Sequence, residues 1–335
     1  VSTVAFSIYS LNGKYYLQND DELRSQQNLR MALYYLSRDL RMAGSGLYVL
    51  GPGVKKVQVY APFAPNRKCG EPVEATSEGW FHYCDDKANK GARALFGEDG
   101  GANDPDVVTI LRGEPEFSGQ TGEVGSLSDE SLTFSKGVDK AALADGDILA
   151  MVKDNGAVLF EAEKIYVQDD QAVGLAISLG GRFTSPSVVP PGFEAQGAAI
   201  FNLKNVSFVT YYVDEATHRL LAVNHDQKFA QGGQSLVESK PVADHIEDLE
   251  LYYFFENEKI DQNAIYLDPS IGSSRLNHSD PKAIILGLTG RSARRVGRES
   301  SVRPSFFNRK RGAKREMFTY NSLITTLQLR NYEKS

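Results

Sequence analysis

The first 43 residues have the polar and apolar pattern of one long α-helix. No proline interrupts this segment, and Gly13 is its only expected bend. A basic last turn precedes Gly44-Ser45-Gly46, which favours the end of the helix at that point. Leucine recurs at steps of four, three and four, the spacing of a face that a helix buries against a core, at Leu29, Leu33, Leu36 and Leu40.

The first half of this helix is expected to project from the rest of the molecule. At about 1.5 Å per residue the helix would run about 65 Å, and its leucine-rich face begins only at Leu29. Two interpretations of the first half are open: an amphipathic core helix, or the tail of a longer apolar helix whose beginning is missing. The candidate assembly positions are apolar or aromatic residues at near-helical spacing, namely Val1, Val4, Ala5, Ile8, Leu11 and Tyr15.

After Gly46 the pattern changes to short β-like runs that Gly, Asp, Asn and Pro separate. Asn155-Gly156 is a strong hairpin signal between two of these runs. Residues 113–130, 184–191 and 257–281 are expected to be loops. The predicted strands cover residues 55–63, 106–112, 131–135, 147–153, 157–167, 206–213, 219–223, 245–256, 283–289 and 323–330.

The expected fold class follows from the order of these elements. Strands do not alternate with helices along the chain, which favours antiparallel sheets and an α+β class. We expect a long N-terminal helix packed on antiparallel β-sheets, with loop insertions between the strands. The expected domain organisation is a helix over residues 1–46 and a β-rich globular head over residues 47–335, which includes a basic loop over residues 291–315.

Composition excludes several classes of protein. Of the 335 residues, 41% are apolar and 24% are charged, which are ordinary values for a soluble globular chain. A disordered chain, a collagen-like chain and a multi-span membrane protein are therefore excluded. The first apolar run alone is too short to cross a bilayer, because a spanning helix needs about 18 or more consecutive apolar residues.

The net charge of −6 hides an uneven distribution. Residues 291–315 hold ten basic residues and one acid, so this stretch carries +9 and the rest of the chain −15. Three interpretations are open: a nucleic-acid or other polyanion patch, a patch for an acidic partner, and a solvated flexible loop, which is favoured. The candidate patch residues are Arg291, Arg294, Arg295, Arg298, Arg309, Lys310, Arg311, Lys314 and Arg315.

Catalytic motifs are not found in the sequence. There is no phosphate-binding glycine loop and no G-x-S-x-G nucleophile turn, and the five histidines are dispersed. We therefore expect a protein that is not an enzyme and that needs no cofactor. A weak calcium candidate comprises the oxygen-bearing side chains Asp99, Asn103, Asp104 and Asp106, although such a run before a strand is usually only a turn.

Two cysteines, Cys69 and Cys84, bracket a stretch rich in turn-forming residues. They are either free thiols or one disulfide that closes a surface loop, and the disulfide is favoured. A bridge over a loop of this size would contribute roughly 3 kcal/mol in the chain-entropy treatment. It would also imply an oxidising compartment such as a periplasm.

The segment Gln26-Gln27-Asn28-Leu29-Arg30-Met31-Ala32-Leu33, continuing through Leu36-Ser37-Arg38-Asp39-Leu40-Arg41-Met42-Ala43-Gly44, resembles the end of the helix in PilW-type minor pilins of type IV pili. Related patterns occur in GspJ-type pseudopilins of type II secretion. Further matches follow in the same order, at residues 104–112, 146–151, 212–221, 241–252 and 325–331. Residues 114–140, 169–196 and 257–280 look like additions particular to this chain.

The resemblance implies a non-enzymatic minor pilin that helps to initiate or cap a type IV pilus. The alternatives are a GspJ-like minor pseudopilin and a tip subunit that binds DNA or surfaces through residues 291–315. The implied partners are other minor pilins, the major pilin and a tip adhesin, with nucleic acid as an open possibility. The implied location is the bacterial inner membrane and periplasm before assembly, through an N-terminal segment that this sequence lacks, and the pilus tip afterwards.

Overall fold

A computed structural model describes most of the helix and the strands of this chain. The described residues are 2–45, 47, 56–58, 95–98, 104–113, 120–128, 130–153, 156–177, 194–224, 239–254, 282–294, 303–304 and 318–329. The statements below concern these residues.

One α-helix, α1 (Ser2–Arg41), precedes the strands. Its bounds agree closely with the predicted helix, and Gly44 has the positive φ of 74° that is common just after a helix. The strands in chain order are β1 (Lys56–Gln58), β2 (Leu95–Glu98), β3 (Val107–Gly113), β4 (Gln120–Leu127), β5 (Ser131–Asp139), β6 (Ile148–Lys153), β7 (Gly156–Gln168), β8 (Gln171–Ile177), β9 (Ala199–Lys204), β10 (Val206–Asp214), β11 (Arg219–Asn224), β12 (Ser239–Asp244), β13 (Ile246–Phe254), β14 (Ala283–Arg291) and β15 (Tyr320–Gln328).

The largest sheet closes on itself. Its strand order is β1-β7-β6-β9-β4-β5-β8, and β8 also pairs with β7, so six strands form a closed cylinder. Neighbouring strands of the cylinder are antiparallel, whereas β1 pairs with β7 in parallel outside it. The pairing of β6 with β7 confirms the hairpin predicted at Asn155-Gly156.

Two smaller antiparallel sheets complete the described fold. One has the order β12-β11-β10-β3-β2, and the other has the order β13-β14-β15. Their apolar faces and the second half of α1 enclose one core, with Leu36, Ile110, Leu251 and Leu286 among its buried members. The cylinder encloses a separate core around Leu149, Phe160 and Leu175.

The predicted fold class is wrong. We expected an α+β arrangement, with one long helix covering antiparallel sheets and loop insertions between strands. The chain does not form it. The described residues are mostly strand, and the largest sheet buries its own core as a closed cylinder without help from the helix. Among the described strands, β12, β14 and β15 make the most contact with α1.

The prediction failed chiefly in segments interpreted as loops or additions. The expected loop over residues 113–130 contains β4, and the apparent additions over residues 114–140 and 169–196 contain β4, β5 and β8, which are half of the cylinder. Sequence alone made these segments look irregular because glycine is usually unfavourable inside strands.

Two glycines show why these strands contain a residue type that makes a strand hard to recognise in the sequence. A Cβ added at Gly122 of β4 would lie 2.8 Å from Val138 Cγ2, and one at Gly174 of β8 would lie 2.6 Å from the Leu132 carbonyl oxygen. Closing six strands therefore brings backbones and side chains too close for any residue but glycine at these two positions.

Candidate functional site: the long N-terminal helix

The second half of α1 is fixed to the body along one stripe. From residue 21 onwards the buried positions recur at steps of three and four, as expected for one face of a helix. Leu33 is half-buried and packs against the same core. The buried members are Asp21, Ser25, Leu29, Ala32, Leu36, Asp39, Leu40 and Ala43. Residues 21–41 are called the docked half of α1 below.

A glycine lets the docked half lie close to the sheet. Leu29 packs directly over Gly290 of β14, where an added Cβ would lie 2.9 Å from Leu29 Cγ. The spacing between α1 and β14 is therefore set by the absence of a side chain at residue 290. The predicted helix-to-head contacts at Leu29, Leu36 and Leu40 lie in the core that this approach closes.

A buried carboxylate fixes the end of the docked half. Asp39 is 2% exposed and accepts a hydrogen bond from the Tyr211 hydroxyl at 2.6 Å. Arg112 Nη1 and Arg38 Nε donate to the other carboxylate oxygen at 3.0 and 2.8 Å. Because two cations and a phenol surround it, the buried negative charge of Asp39 is balanced by side chains in direct contact with it.

The environment of this carboxylate acts on Tyr211 in turn. Burial raises the pKa of the Tyr211 phenol far above its ordinary value, and the Asp39 charge and hydrogen bond raise it further. The phenol is therefore held as a proton donor to Asp39. Sequence reasoning overlooked this network, and its only local signal is an aspartate on the apolar stripe of a helix.

A second charged cluster lies where α1 meets the body. Arg294 Nε lies 3.8 Å from an oxygen of the buried Asp21, and Arg291 Nη1 lies 2.9 Å from Glu247 Oε1. His218 Nδ1 is 3.0 Å from the same glutamate oxygen. The first two arginines of the basic stretch therefore contact carboxylates of the chain itself.

A second histidine, His245, lies beside this cluster, and its surroundings favour the neutral form. Burial lowers the pKa of His245, and Arg291 and His218 lower it further, while Asp244 and Asp21 oppose the shift. Arg291 also stacks on the Phe318 ring, with its guanidinium carbon 4.4 Å from the ring centroid. This cluster joins the start of the docked half to the β12–β13 turn, to the end of β14 and to the residues just before β15.

The first half of α1 is not buried by any other part of the chain that the structure describes. Every residue from 4 to 19 is exposed, and this segment is called the free half below. Lys14 is its only charged residue. The predicted assembly positions Val4, Ile8, Leu11 and Tyr15 are 62%, 56%, 55% and 58% exposed, and Ala5 is exposed as well. Large apolar groups on a free helix usually mark a surface that another molecule covers.

The free half continues the spacing of the docked half. Four of its residues, called the inner seam below, each precede a buried residue of the docked half by 21 positions, which is three heptads. An α-helix drifts by about 20° per heptad, so over three heptads the two sets are offset by about 60° and lie on overlapping sides of the helix. The inner seam is Val4, Ile8, Leu11 and Tyr15, and the matching buried residues are Ser25, Leu29, Ala32 and Leu36.

Intrinsic propensity does not explain a helix over the free half. The segment is rich in β-branched, aromatic, serine and asparagine residues and contains Gly13, all of which are poorer helix formers than alanine or leucine. Isolated helices of this length are marginal in water even for alanine-rich sequences. Cover by a partner would supply the missing stabilisation, at roughly 1.5–3 kcal/mol for each large apolar side chain fully buried.

The calcium candidate is not assembled among the described residues. Asp106 is buried, its Oδ2 accepts a hydrogen bond from the Leu251 amide at 2.8 Å, and its own amide donates to the Leu249 carbonyl oxygen at 2.8 Å. Its carboxylate thus ties the start of β3 to β13. No group of three or more metal-binding side chains occurs in the part of the chain that the structure describes, which includes Asp104.

Several predicted site residues lie outside the described residues. They are Val1, Cys69, Cys84, Asp99, Asn103, Arg295, Arg298, Arg309, Lys310, Arg311, Lys314 and Arg315.

Comparison with protein-family models, with curated proteins and with solved structures finds no match to this chain. Within the described residues, α1 does not combine the length and apolar character that crossing a membrane by a helix requires.

Proposed function

We propose that this chain is a non-enzymatic assembly subunit, comparable in role to the PilW-type minor pilins, which packs the free half of α1 against helices of other subunits and helps to initiate or cap a pilus. The observation that carries this proposal is the free half itself, which is helical and apolar but covered by nothing in the described chain. The likeness to pilins that we propose is limited to the role of the helix, because the closed cylinder of the body differs from the fold expected by resemblance.

The inner seam supports a helical partner rather than a flat one. Its heptad spacing is the one with which two helices interlock side chains over many turns. The docked half is firmly attached to the body, because Leu29 packs on Gly290 and the Tyr211 hydroxyl donates a hydrogen bond to Asp39. A force on the free half would thus be transmitted to the body through a rigid element.

The test is complementation of a deletion strain in the bacterium that encodes the protein. We expect deletion to reduce surface pili at least about tenfold, and we expect the wild-type gene to restore them. Leu11→Asp should fail to restore pili although the protein is present at the wild-type level, because a carboxylate in a helix–helix seam is strongly unfavourable. Pili are counted by electron microscopy and by immunoblots of sheared fractions.

The matched control is Ser10→Asp, which places the same charge on the neighbouring exposed position outside the inner seam. It should restore pili as the wild type does. Normal pilus numbers in the deletion strain, or full restoration by Leu11→Asp, would refute the proposed role.

A further inference from the structure

The docked half of α1 has a second apolar surface, on the side that faces away from the body. Met31, Tyr34 and Met42 are 41%, 64% and 37% exposed although the helix is firmly packed on its other side. Together with the exposed Leu23 and Tyr35, they form one row along the solvent side. This row is called the outer stripe, and its members are Leu23, Met31, Tyr34 and Tyr35 of the docked half and Met42, which directly follows α1.

The aromatic members of the outer stripe are held in place by neighbouring side chains. The Tyr34 and Tyr35 rings meet edge to face, with centroids 5.6 Å apart and planes at 77°. The guanidinium carbon of Arg38 lies 5.3 Å from the Tyr35 ring centroid, while Arg38 Nε donates to the buried Asp39. Side chains fixed in this way lose little rotamer freedom when a partner binds.

Arginine predominates around the outer stripe. Residues 23–42 contain Arg24, Arg30, Arg38 and Arg41, and their only acid is Asp39, which is buried with Tyr211 and Arg112. Arg24 forms an ion pair with Asp20 one turn earlier, at 3.0 Å, which leaves Arg30 and Arg38 as the cations beside the middle of the stripe. The surface combines tyrosine, methionine and arginine and contains neither lysine nor glutamate. This is the composition of protein–protein interface centres, where lysine and glutamate are depleted.

We propose that the outer stripe binds an amphipathic α-helix of another protein, in which an apolar row is flanked by aspartate and glutamate. Met31, Tyr34, Arg38 and Met42 follow at steps of three and four, which is the spacing that packs against a second helix. The flanking carboxylates would meet Arg30 and Arg38. This surface is separate from the inner seam, so the inference goes beyond the proposed assembly role.

A membrane surface fits the outer stripe less well. Helices that lie in a lipid interface bury a broad apolar face. Here arginines interrupt the apolar row at nearly every turn, and the two tyrosine rings pack on each other. A narrow, ordered row flanked by cations favours the side chains of one acidic helix.

The test measures binding of two labelled synthetic peptides to the purified full chain by fluorescence anisotropy. One peptide of about four heptads has leucine at its core positions and glutamate on both flanks, and the control peptide has lysine in place of glutamate. We expect the glutamate peptide to bind at least about tenfold more tightly than the lysine peptide and to weaken as salt rises. Tyr34→Ser and Arg30→Glu should each weaken it at least about tenfold, and Arg30→Glu should strengthen binding of the lysine peptide.

Two protein variants serve as controls. Tyr166→Ser removes an exposed tyrosine on β7 of the cylinder and should leave binding of the glutamate peptide unchanged. Leu11→Asp alters the inner seam and should also leave it unchanged. Circular dichroism checks that each variant is folded.

The proposal is overturned if the glutamate peptide does not bind, if both peptides bind equally, or if Tyr34→Ser and Arg30→Glu have no effect. Binding to vesicles of phosphatidylglycerol with no binding to the peptide would assign the surface to lipid instead. Loss of peptide binding in Leu11→Asp alone would place the peptide on the inner seam, which overturns the inference and leaves the assembly role standing. Failure of the pilus test would overturn that role without changing these binding results.

Discussion

Gly290 determines how closely α1 approaches β14. A Cβ at this position would lie 2.9 Å from Leu29 Cγ, with the two Leu29 methyl carbons at 3.2 Å. We therefore expect Gly290→Ala to lower the free energy of unfolding by about 1–3 kcal/mol, the usual range for overpacking a core. Urea unfolding followed by circular dichroism measures the change.

The control for this substitution lies in the same chain. A Cβ added at Gly13 in the free half meets nothing within 4 Å, so Gly13→Ala should not destabilise the protein and should raise its helix content. The double variant Leu29→Ala/Gly290→Ala should lose less stability than the sum of its two single variants, because the smaller side chain removes the clash. Strict additivity would mean that the two residues do not limit the approach.

Tyr211 should make stability depend on alkaline pH. Its folded-state pKa is raised above the unfolded value near 10, so the native state keeps the phenol proton that the unfolded chain releases. The stabilisation is complete below pH 10 and declines as pH rises further. The free energy of unfolding between pH 9 and pH 11 is expected to fall more steeply for the wild type than for Tyr211→Phe.

The same substitution also has an effect at neutral pH. Tyr211→Phe removes one charge-assisted hydrogen bond to Asp39 and should cost about 1.5–3 kcal/mol of stability. Tyr166→Phe is the control, since Tyr166 is an exposed tyrosine on β7 of the cylinder. Equal pH slopes for the wild type and Tyr211→Phe would contradict the assignment of Tyr211 as the source of the effect.

At the scale of the element, the two halves of α1 should differ in stability. Residues 4–19 are exposed, whereas every third or fourth residue from 21 onwards is buried against the body. In the isolated protein we expect amides of the free half to exchange with deuterium at least about a hundredfold faster than those of residues 29–40. Hydrogen exchange with mass spectrometry resolves the two segments.

Assembly should reverse this difference. In purified filaments or co-purified complexes, the free half should gain protection while the docked half changes little. Fast exchange in both the isolated and the assembled protein would mean that no partner covers the free half.

The helix could be predicted from sequence because its signal is local. Leu29, Leu33, Leu36 and Leu40 repeat with helical spacing, and the glycines after Arg41 mark its end. The strands β6, β7, β10 and β14 were likewise predicted, because each has a run of apolar residues between turn signals. Polar or glycine-containing strands such as β4 were overlooked, since the need for glycine there comes from residues that are distant in the sequence.

The polar contacts that attach the docked half to the body could not be predicted from sequence for a similar reason. Asp39 meets Tyr211, which lies 172 residues later, and Asp21 meets Arg294. Neither pair has a spacing that a motif could encode. The exposure of Val4, Ile8 and Leu11 could be predicted, because their stripe extends beyond the leucine-rich face.

At the scale of the whole molecule, the described residues contain two separate cores. One joins the docked half of α1 to the two smaller sheets, and the other fills the cylinder. Leu36→Ala and Leu149→Ala remove similar side chains from the first and second core, and each should cost about 2–5 kcal/mol. Hydrogen exchange should show the loss of protection mainly in the core that holds the substitution.

The closed cylinder was the feature hardest to foresee. It brings β4, β5 and β8 next to β7 and β9, and closure depends on the pairing of β7 with β8 as well as on each strand. The hydrophobic pattern of single strands gives no information about whether a sheet has free edges. A predicted class based on one helix and open sheets therefore failed at the level of topology.

The three-heptad relation between the inner seam and the buried residues makes α1 a spacer of defined phase. Each residue of a helix adds about 100° of rotation and about 1.5 Å of length. One residue inserted at the boundary between the free and docked halves would rotate the body about the helix axis relative to its partner. Seven inserted residues would return it to within about 20° and raise it by about 10 Å. The sequence length between Val4 and Ser25 thus specifies which side of the body faces outward in any assembly built on this helix.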